Sequence, residues 1–269
     1  MLKTRVLAAI VLAAIGVPAV VLGGIPYFLL IVLFLSLAAW EYVQLFRAAG
    51  LHAHPWLVVG GTAALLVLRA YFPERAGGGL SILALAAMGW HLLAYEEGRD
   101  QAATDFAVTL GGFLYLGWIG AYLIELRALP NGMWWFWLIL PSVWIADSAA
   151  YFIGKAFGRH PLSPRLSPKK TWEGYWGGVV FGMLGGAGLA VLAQQVGGLE
   201  VRWWEGAAVG LVLAILTTLG DLGESMIKRQ AGAKDSSNLI PGHGGFFDRF
   251  DTWLWGGAIG YFLVTWFLL

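Results

Sequence analysis

The chain has 269 residues, 59% of them hydrophobic and 12% charged, with a formal net charge of +1 and a mean hydropathy of +0.71. These values exclude an ordinary soluble domain and point to a polytopic membrane protein, while the near-neutral charge, with no basic face or arm, excludes nucleic acid as a partner. The absence of cysteine excludes disulfides, thiol nucleophiles and cysteine-held metals together.

Apolar runs fall at 6–22, 26–46, 56–72, 78–95, 104–124, 133–153, 174–196, 204–221 and 252–269. Each is about the 20 residues that a membrane-spanning helix needs, so an all-α bundle of about nine transmembrane helices is expected. The first run, behind Lys3 and Arg5, reads as an uncleaved helix rather than a signal peptide, because further runs follow at once and no small-x-small cleavage site precedes a polar start. Residues 1–132 form an N-terminal set of structural, lipid-facing helices, and 133–269 a C-terminal catalytic region with loops at 155–173 and 222–251. In the first half, His52-x-His54 is too sparse for a metal site, and Glu41, His91 and Glu96-Glu97 receive no role. Trp residues gather where runs begin, as in Trp56, Trp134, Trp135, Trp203 and Trp253, which suits an interfacial belt.

Nine spans place 13 of the 17 Lys and Arg residues on one side. By the positive-inside rule the N-terminus and both charged loops are then cytoplasmic, in a plasma (inner) membrane of prokaryotic type. Asp147 lies within an apolar run, where a carboxylate is costly unless it has a partner or lines a wet cavity. The loop after it carries Lys155, Arg159, His160, Arg165, Lys169 and Lys170 against a single acid, Glu173. Beyond it, Gly174, Gly178, Gly182 and Gly186 recur every fourth residue, and Gly206-x-x-x-Gly210 and Gly256-x-x-x-Gly260 repeat the spacing. Such small-residue faces let membrane helices approach closely, inside the bundle or across a dimer.

The densest chemistry lies at 221–251, with ten ionisable groups in 31 residues. If the helix from 206 continues past Gly220, Asp221, Ser225 and Lys228 share one face. Gly232 and Ser236-Ser237-Asn238 read as a helix stop and a polar loop. The glycines of Pro241-Gly242-His243-Gly244-Gly245 allow backbone N–H groups to approach an anion. Asp248 and Asp251, at i and i+3, can face one point. Carboxylates beside Lys and Arg suit a magnesium-bound polyphosphate.

Two ordered patterns, Asp147-x-x-Ala150-Tyr151-x-x-Gly154 with Ser167-Pro168-Lys169-Lys170-Thr171-x-Glu173-Gly174, and Ser225-x-Ile227-Lys228-Arg229 through Lys234-Asp235-x-Ser237 to Ile240-Pro241-x-His243-Gly244-Gly245-Phe246-x-Asp248-Arg249-Phe250-Asp251, resemble the phosphatidate cytidylyltransferases (CDP-diacylglycerol synthases). The resemblance covers the second half of the chain, and the first half matches only in being polytopic. It implies an enzyme that joins CTP and phosphatidic acid into CDP-diacylglycerol and pyrophosphate, with Mg²⁺ and room for a second metal ion, divalent or monovalent, and a homodimer. Asp221 and Asp248 are expected as metal ligands, with Asp251 and Asp147 as weaker candidates. Lys228, Arg229 and Arg249 would hold phosphates, Lys169 and Lys170 the second phosphate group, and Ser225, Lys234, Asp235, Gly244 and Gly245 line the substrate site. His243 stands as either a base or a phosphate-binding residue. A secondary transporter, or another CDP-lipid-linked transferase, is the alternative, but neither repeated halves nor an Asp-Gly-x-x-Ala-Arg pattern is present.

Overall fold

The computed structural model describes residues 2–242 and 244–269, with residues 2–5 described by their backbone alone. Helices α1 (Leu2–Leu22), α2 (Gly24–Ala48), α3 (Pro55–Tyr71), α4 (Pro73–Glu96) and α5 (Ala102–Phe113) come first. A π-helical turn, Leu114–Ile119, joins α5 to α6 (Ala121–Ala128), and α7 (Gly132–Phe157) follows. A hairpin of β1 (Pro161–Ser163) and β2 (Ser167–Thr171) precedes α8 (Trp172–Gly197), α9 (Trp203–Gln230) and α10 (Phe247–Phe267).

The all-α membrane bundle is as expected, and the count is refined. Among the described residues, six helices are long and apolar enough to cross a membrane: α2, α4, the composite Ala102–Ala128, α7, α8 and α9. The apolar stretches Val6–Leu22 and Pro55–Tyr71 are shorter, and α10 carries Asp248, Arg249 and Asp251 in its opening turns. The figure of nine therefore counts helical segments, of which six have full spanning character.

The chain divides into two compact units, one of Met1–Glu125 with Ile227–Phe250, the other of Leu126–Met226 with Asp251–Leu269. In the first, Leu65, Ala87 and Phe113 form a core packed by Leu57, Leu83, Phe106 and Trp118. Arg69 braces the π-helical turn from α3. Its guanidinium donates to Glu125 at 2.7 and 2.6 Å and to the Trp118 carbonyl at 2.7 Å, and it lies 4.1 Å from the Tyr122 ring centroid. A charge inside an apolar helix is thereby both paired and stacked.

His54 caps a helix, and the His52 backbone amide is tied to an acid. The His52 amide donates to Asp105 at 2.7 Å, and the Leu57 amide donates to His54 Nδ1 at 3.1 Å, capping α3. Burial, then the nearby Arg47 charge, lowers the His54 pKa and so favours the neutral ring that can accept this bond.

In the second unit the glycine stripe of α8 is a packing device between α7 and α9. A Cβ at Gly182 would lie 2.7 Å from the Ala214 Cβ and 3.0 Å from the Ala146 Cβ. One at Gly186 would lie 2.2 Å from the Gly206 carbonyl oxygen, and one at Gly210 2.2 Å from that of Gly182. Gly260 does the same for α10 against Ile139 of α7. Not every Trp is an anchor either: Trp56 and Trp203 are exposed, whereas Trp135 is buried in the core.

Candidate active site

The second unit gathers acids from three helices. Asp221 sits on α9 one residue after Gly220, whose missing side chain admits α10: a Cβ there would lie 2.5 Å from the Asp251 carbonyl oxygen and 2.5 Å from the Trp255 ring. Asp147 projects from α7, and the charges that act on it are those of Asp251, Asp221 and Lys170. Lys170 is ion-paired with Asp221.

The hairpin explains why one of two adjacent lysines reaches this cluster. Successive strand residues point to opposite faces, so Lys170 turns inward to Asp221 and is half-buried, while Lys169 stands exposed. What reads in the sequence as a basic loop is thus an ordered β-turn-β unit. It is fastened by Glu173, which accepts from the Arg159 and His160 amides at 3.1 and 3.3 Å and meets His160 Nδ1 at 2.5 Å. The Thr171 hydroxyl caps α8 by accepting from the Gly174 amide.

Three carboxylates share the field of one lysine in this unit, an excess of negative charge that a hard divalent cation suits. Among the described residues, no three His, Asp or Glu side chains are close enough to hold a metal by themselves. Mg²⁺ commonly binds through one or two protein carboxylates and completes its shell with water and phosphate oxygens, so a smaller set of these acids would be enough to hold it. Along α7 runs a largely apolar groove of about 490 Å³, lined by Pro141, Trp144, Ile145, Ser148, Phe152 and Phe181.

The first unit holds the rest of the motif. As expected, α9 runs unbroken through Gly220 and stops before Gly232, whose positive φ of 68° lets the Ala233 amide turn back to the Lys228 carbonyl at 2.9 Å. Asp248, at the start of α10, is the hub of the loop. Its Oδ1 accepts from Lys228 Nζ at 2.7 Å. Its Oδ2 accepts from the Ser236 amide at 2.8 Å, the Ser236 hydroxyl at 2.9 Å and the Gly245 amide at 2.8 Å. Gly244 pairs with Ile240 across the turn, at a φ of 79°, and a Cβ there would strike Asp248 Oδ2.

Lys228, Asp248, Gly244 and Gly245 are therefore brought together in the first unit, and Lys170, Asp221, Asp251 and Asp147 in the second. Ser225 is half-buried on α9; Arg229, Lys234, Asp235 and Arg249 are exposed, Arg229 donating to the Ala233 carbonyl at 3.3 Å. His243 lies outside the described residues. The sequence reading missed Ser236, whose only signal was its place in a polar cluster, and Glu41, which had none.

Comparison with known proteins identifies the family. The model of the cytidylyltransferase family matches residues 3–267. A phosphatidate cytidylyltransferase of Pseudomonas aeruginosa is 39% identical over 262 residues, covering 94% of this chain and 93% of its own. Proteins of that name from Bacillus subtilis and Brucella suis are 31% and 34% identical, covering 99% and 97% of this chain and 98% and 92% of theirs. The match extends through the N-terminal helices, which carry none of the recognisable motifs, and the chain belongs to the cytidylyltransferase family.

Proposed function

We propose that the protein is a phosphatidate cytidylyltransferase, making CDP-diacylglycerol and pyrophosphate from CTP and phosphatidic acid at the cytoplasmic face of a membrane. The observation that carries this reading is the near-complete length over which the chain matches proteins of that name. The acids and lysines of both motifs, and an apolar groove on α7 that suits an acyl chain, support it.

In the proposed reaction an oxygen of the lipid phosphate forms a bond to the α-phosphorus of CTP. The bond from that phosphorus to the bridging oxygen breaks, and the electron pair leaves with pyrophosphate. Both reactants are anions, so the chain's work is to hold them in line and neutralise their charge. Lys170 and Lys228 have that role, each released from its carboxylate partner when a phosphate takes the carboxylate's place. Lys169, Arg229, Lys234 and Arg249, being exposed, would meet the outer phosphates. Asp221 in the second unit and Asp248 in the first are each proposed as Mg²⁺ ligands, with Asp147 and Asp251 adding negative charge near Asp221. Bound there, the ion would supply Lewis-acid stabilisation of the phosphoryl oxygens. Ionised near neutral pH, the lipid phosphate needs no dedicated base.

The test is pyrophosphate release by the purified protein in detergent, with CTP, phosphatidic acid and Mg²⁺ each omitted in turn. Release that requires all three, together with a cytidine-labelled lipid, is expected. Folded protein that releases none, or that cytidylylates without phosphatidic acid, would overturn the reading.

A further inference from the structure

Glu41 is a buried carboxylate in the C-terminal third of α2, 2% exposed, and the proposed chemistry makes no use of it. Burying a carboxylate is costly unless its oxygens are supplied with donors. Here both are. Oε1 accepts from the Ser237 hydroxyl at 2.6 Å and the Phe246 amide at 3.1 Å. Oε2 accepts from the Ser236 hydroxyl at 2.9 Å and the Phe247 amide at 2.7 Å. These donors come from the two ends of the polar loop, about 200 residues further along the chain. Aromatic contacts flank the grip, with Phe34 4.9 Å from Phe246 and Tyr42 5.9 Å from Phe247, ring centroid to centroid.

The same loop holds Asp248. The Ser236 hydroxyl lies 2.9 Å from Glu41 Oε2 and 2.9 Å from Asp248 Oδ2, and with one proton to give it is shared between the two carboxylates. Gly245 closes the arrangement: a Cβ there would lie 2.3 Å from Glu41 Oε2 and 2.2 Å from Ser236 Oγ, so only glycine fits. Any movement of Glu41 is felt at Asp248 through one hydroxyl and one short loop.

We propose that Glu41 is a positioning residue for the proposed active site, clamping Ser236-Ser237 to Phe246-Phe247 so that Asp248 is held ready for its cation and phosphate partners. The clamp itself is independent of the reaction, and only its effect on turnover rests on the function proposed above. The charge matters as well as the shape: in Glu41→Gln the amide nitrogen cannot accept, so one pair of donors loses its partner at nearly constant volume.

The test uses the full chain in detergent, with Glu41→Gln, the milder Ser237→Ala, and exposed Glu97→Gln as control. Hydrogen exchange at the Phe246 and Phe247 amides should be about tenfold faster or more in Glu41→Gln, less affected in Ser237→Ala and unchanged in Glu97→Gln. In the activity arm, the Mg²⁺ concentration for half-maximal turnover should rise by about tenfold in Glu41→Gln, with the KM for CTP changing less. Unchanged exchange at these amides in Glu41→Gln would overturn the clamp. Faster exchange with an unaltered Mg²⁺ requirement would overturn its link to Asp248. If the wild type makes no CDP-diacylglycerol, the exchange arm still decides the clamp, and the reaction assignment fails separately.

Discussion

Asp221 and Asp248 are chemically alike and are held differently. Asp221 is about one-third exposed and meets a single lysine, Lys170, beside the charges of Asp147 and Asp251. Asp248 is nearly buried, and its two oxygens accept from Lys228, the Ser236 amide and hydroxyl and the Gly245 amide. The two Asn variants should therefore fail in different ways. Asp221→Asn removes charge from an accessible cluster, so it should keep the wild-type thermal midpoint and lose turnover by about 10²-fold or more. Asp248→Asn should lose turnover and stability together, because the amide nitrogen cannot accept and leaves either Lys228 or the three loop donors on Oδ2 without an acceptor, roughly 1–3 kcal/mol or more. Kinetics and thermal unfolding of both variants in detergent check this, and near-normal turnover of Asp221→Asn would remove it from the site.

At the scale of elements, glycine is used for proximity. The α8 stripe brings α7 and α9 to within backbone contact, and Gly220 does the same between α9 and α10 next to Asp221. Gly210→Ala would put a methyl 2.2 Å from the Gly182 carbonyl oxygen, a rigid neighbour, and should cost roughly 1–3 kcal/mol by overpacking. Gly188 on α8 has nothing within 4 Å, so Gly188→Ala should be neutral or stabilise by up to about 1 kcal/mol through helix propensity. Thermal unfolding followed by helix signal separates the two, and equal effects would show that the stripe is not a packing face. The i+4 spacing was plain in the sequence, but whether it faced a neighbour or a second copy of the chain was not. A pattern gives the face of a helix and not what covers it. The hairpin was hidden for a related reason: Pro161–Thr171 is polar and basic, with none of the apolar alternation that marks a buried strand, and its order comes from Glu173 and from pairing.

For the whole molecule, charge asymmetry in the sequence predicts that the hairpin and the 231–246 loop share the cytoplasmic side with the N-terminus. The lack of cysteine makes this simple to test. A membrane-impermeant thiol reagent on intact cells should label Arg202→Cys but reach Arg165→Cys and Asn238→Cys only after permeabilisation. Labelling of Asn238→Cys in intact cells would invert the orientation.

By itself the sequence determined the class of molecule, the position of its helices, and the motifs in which the candidate acids and lysines lie, because hydropathy and fixed motif spacing are local properties of the chain. It could not reveal Glu41, since a lone glutamate in an apolar run looks the same whether it faces headgroups or four buried donors. Only the tertiary structure joined it to Ser236, Ser237, Phe246 and Phe247, and turned Lys170 rather than Lys169 toward Asp221. Those are pairings between residues far apart in the chain, set by packing and by the need to satisfy buried polar groups, and no local pattern records them.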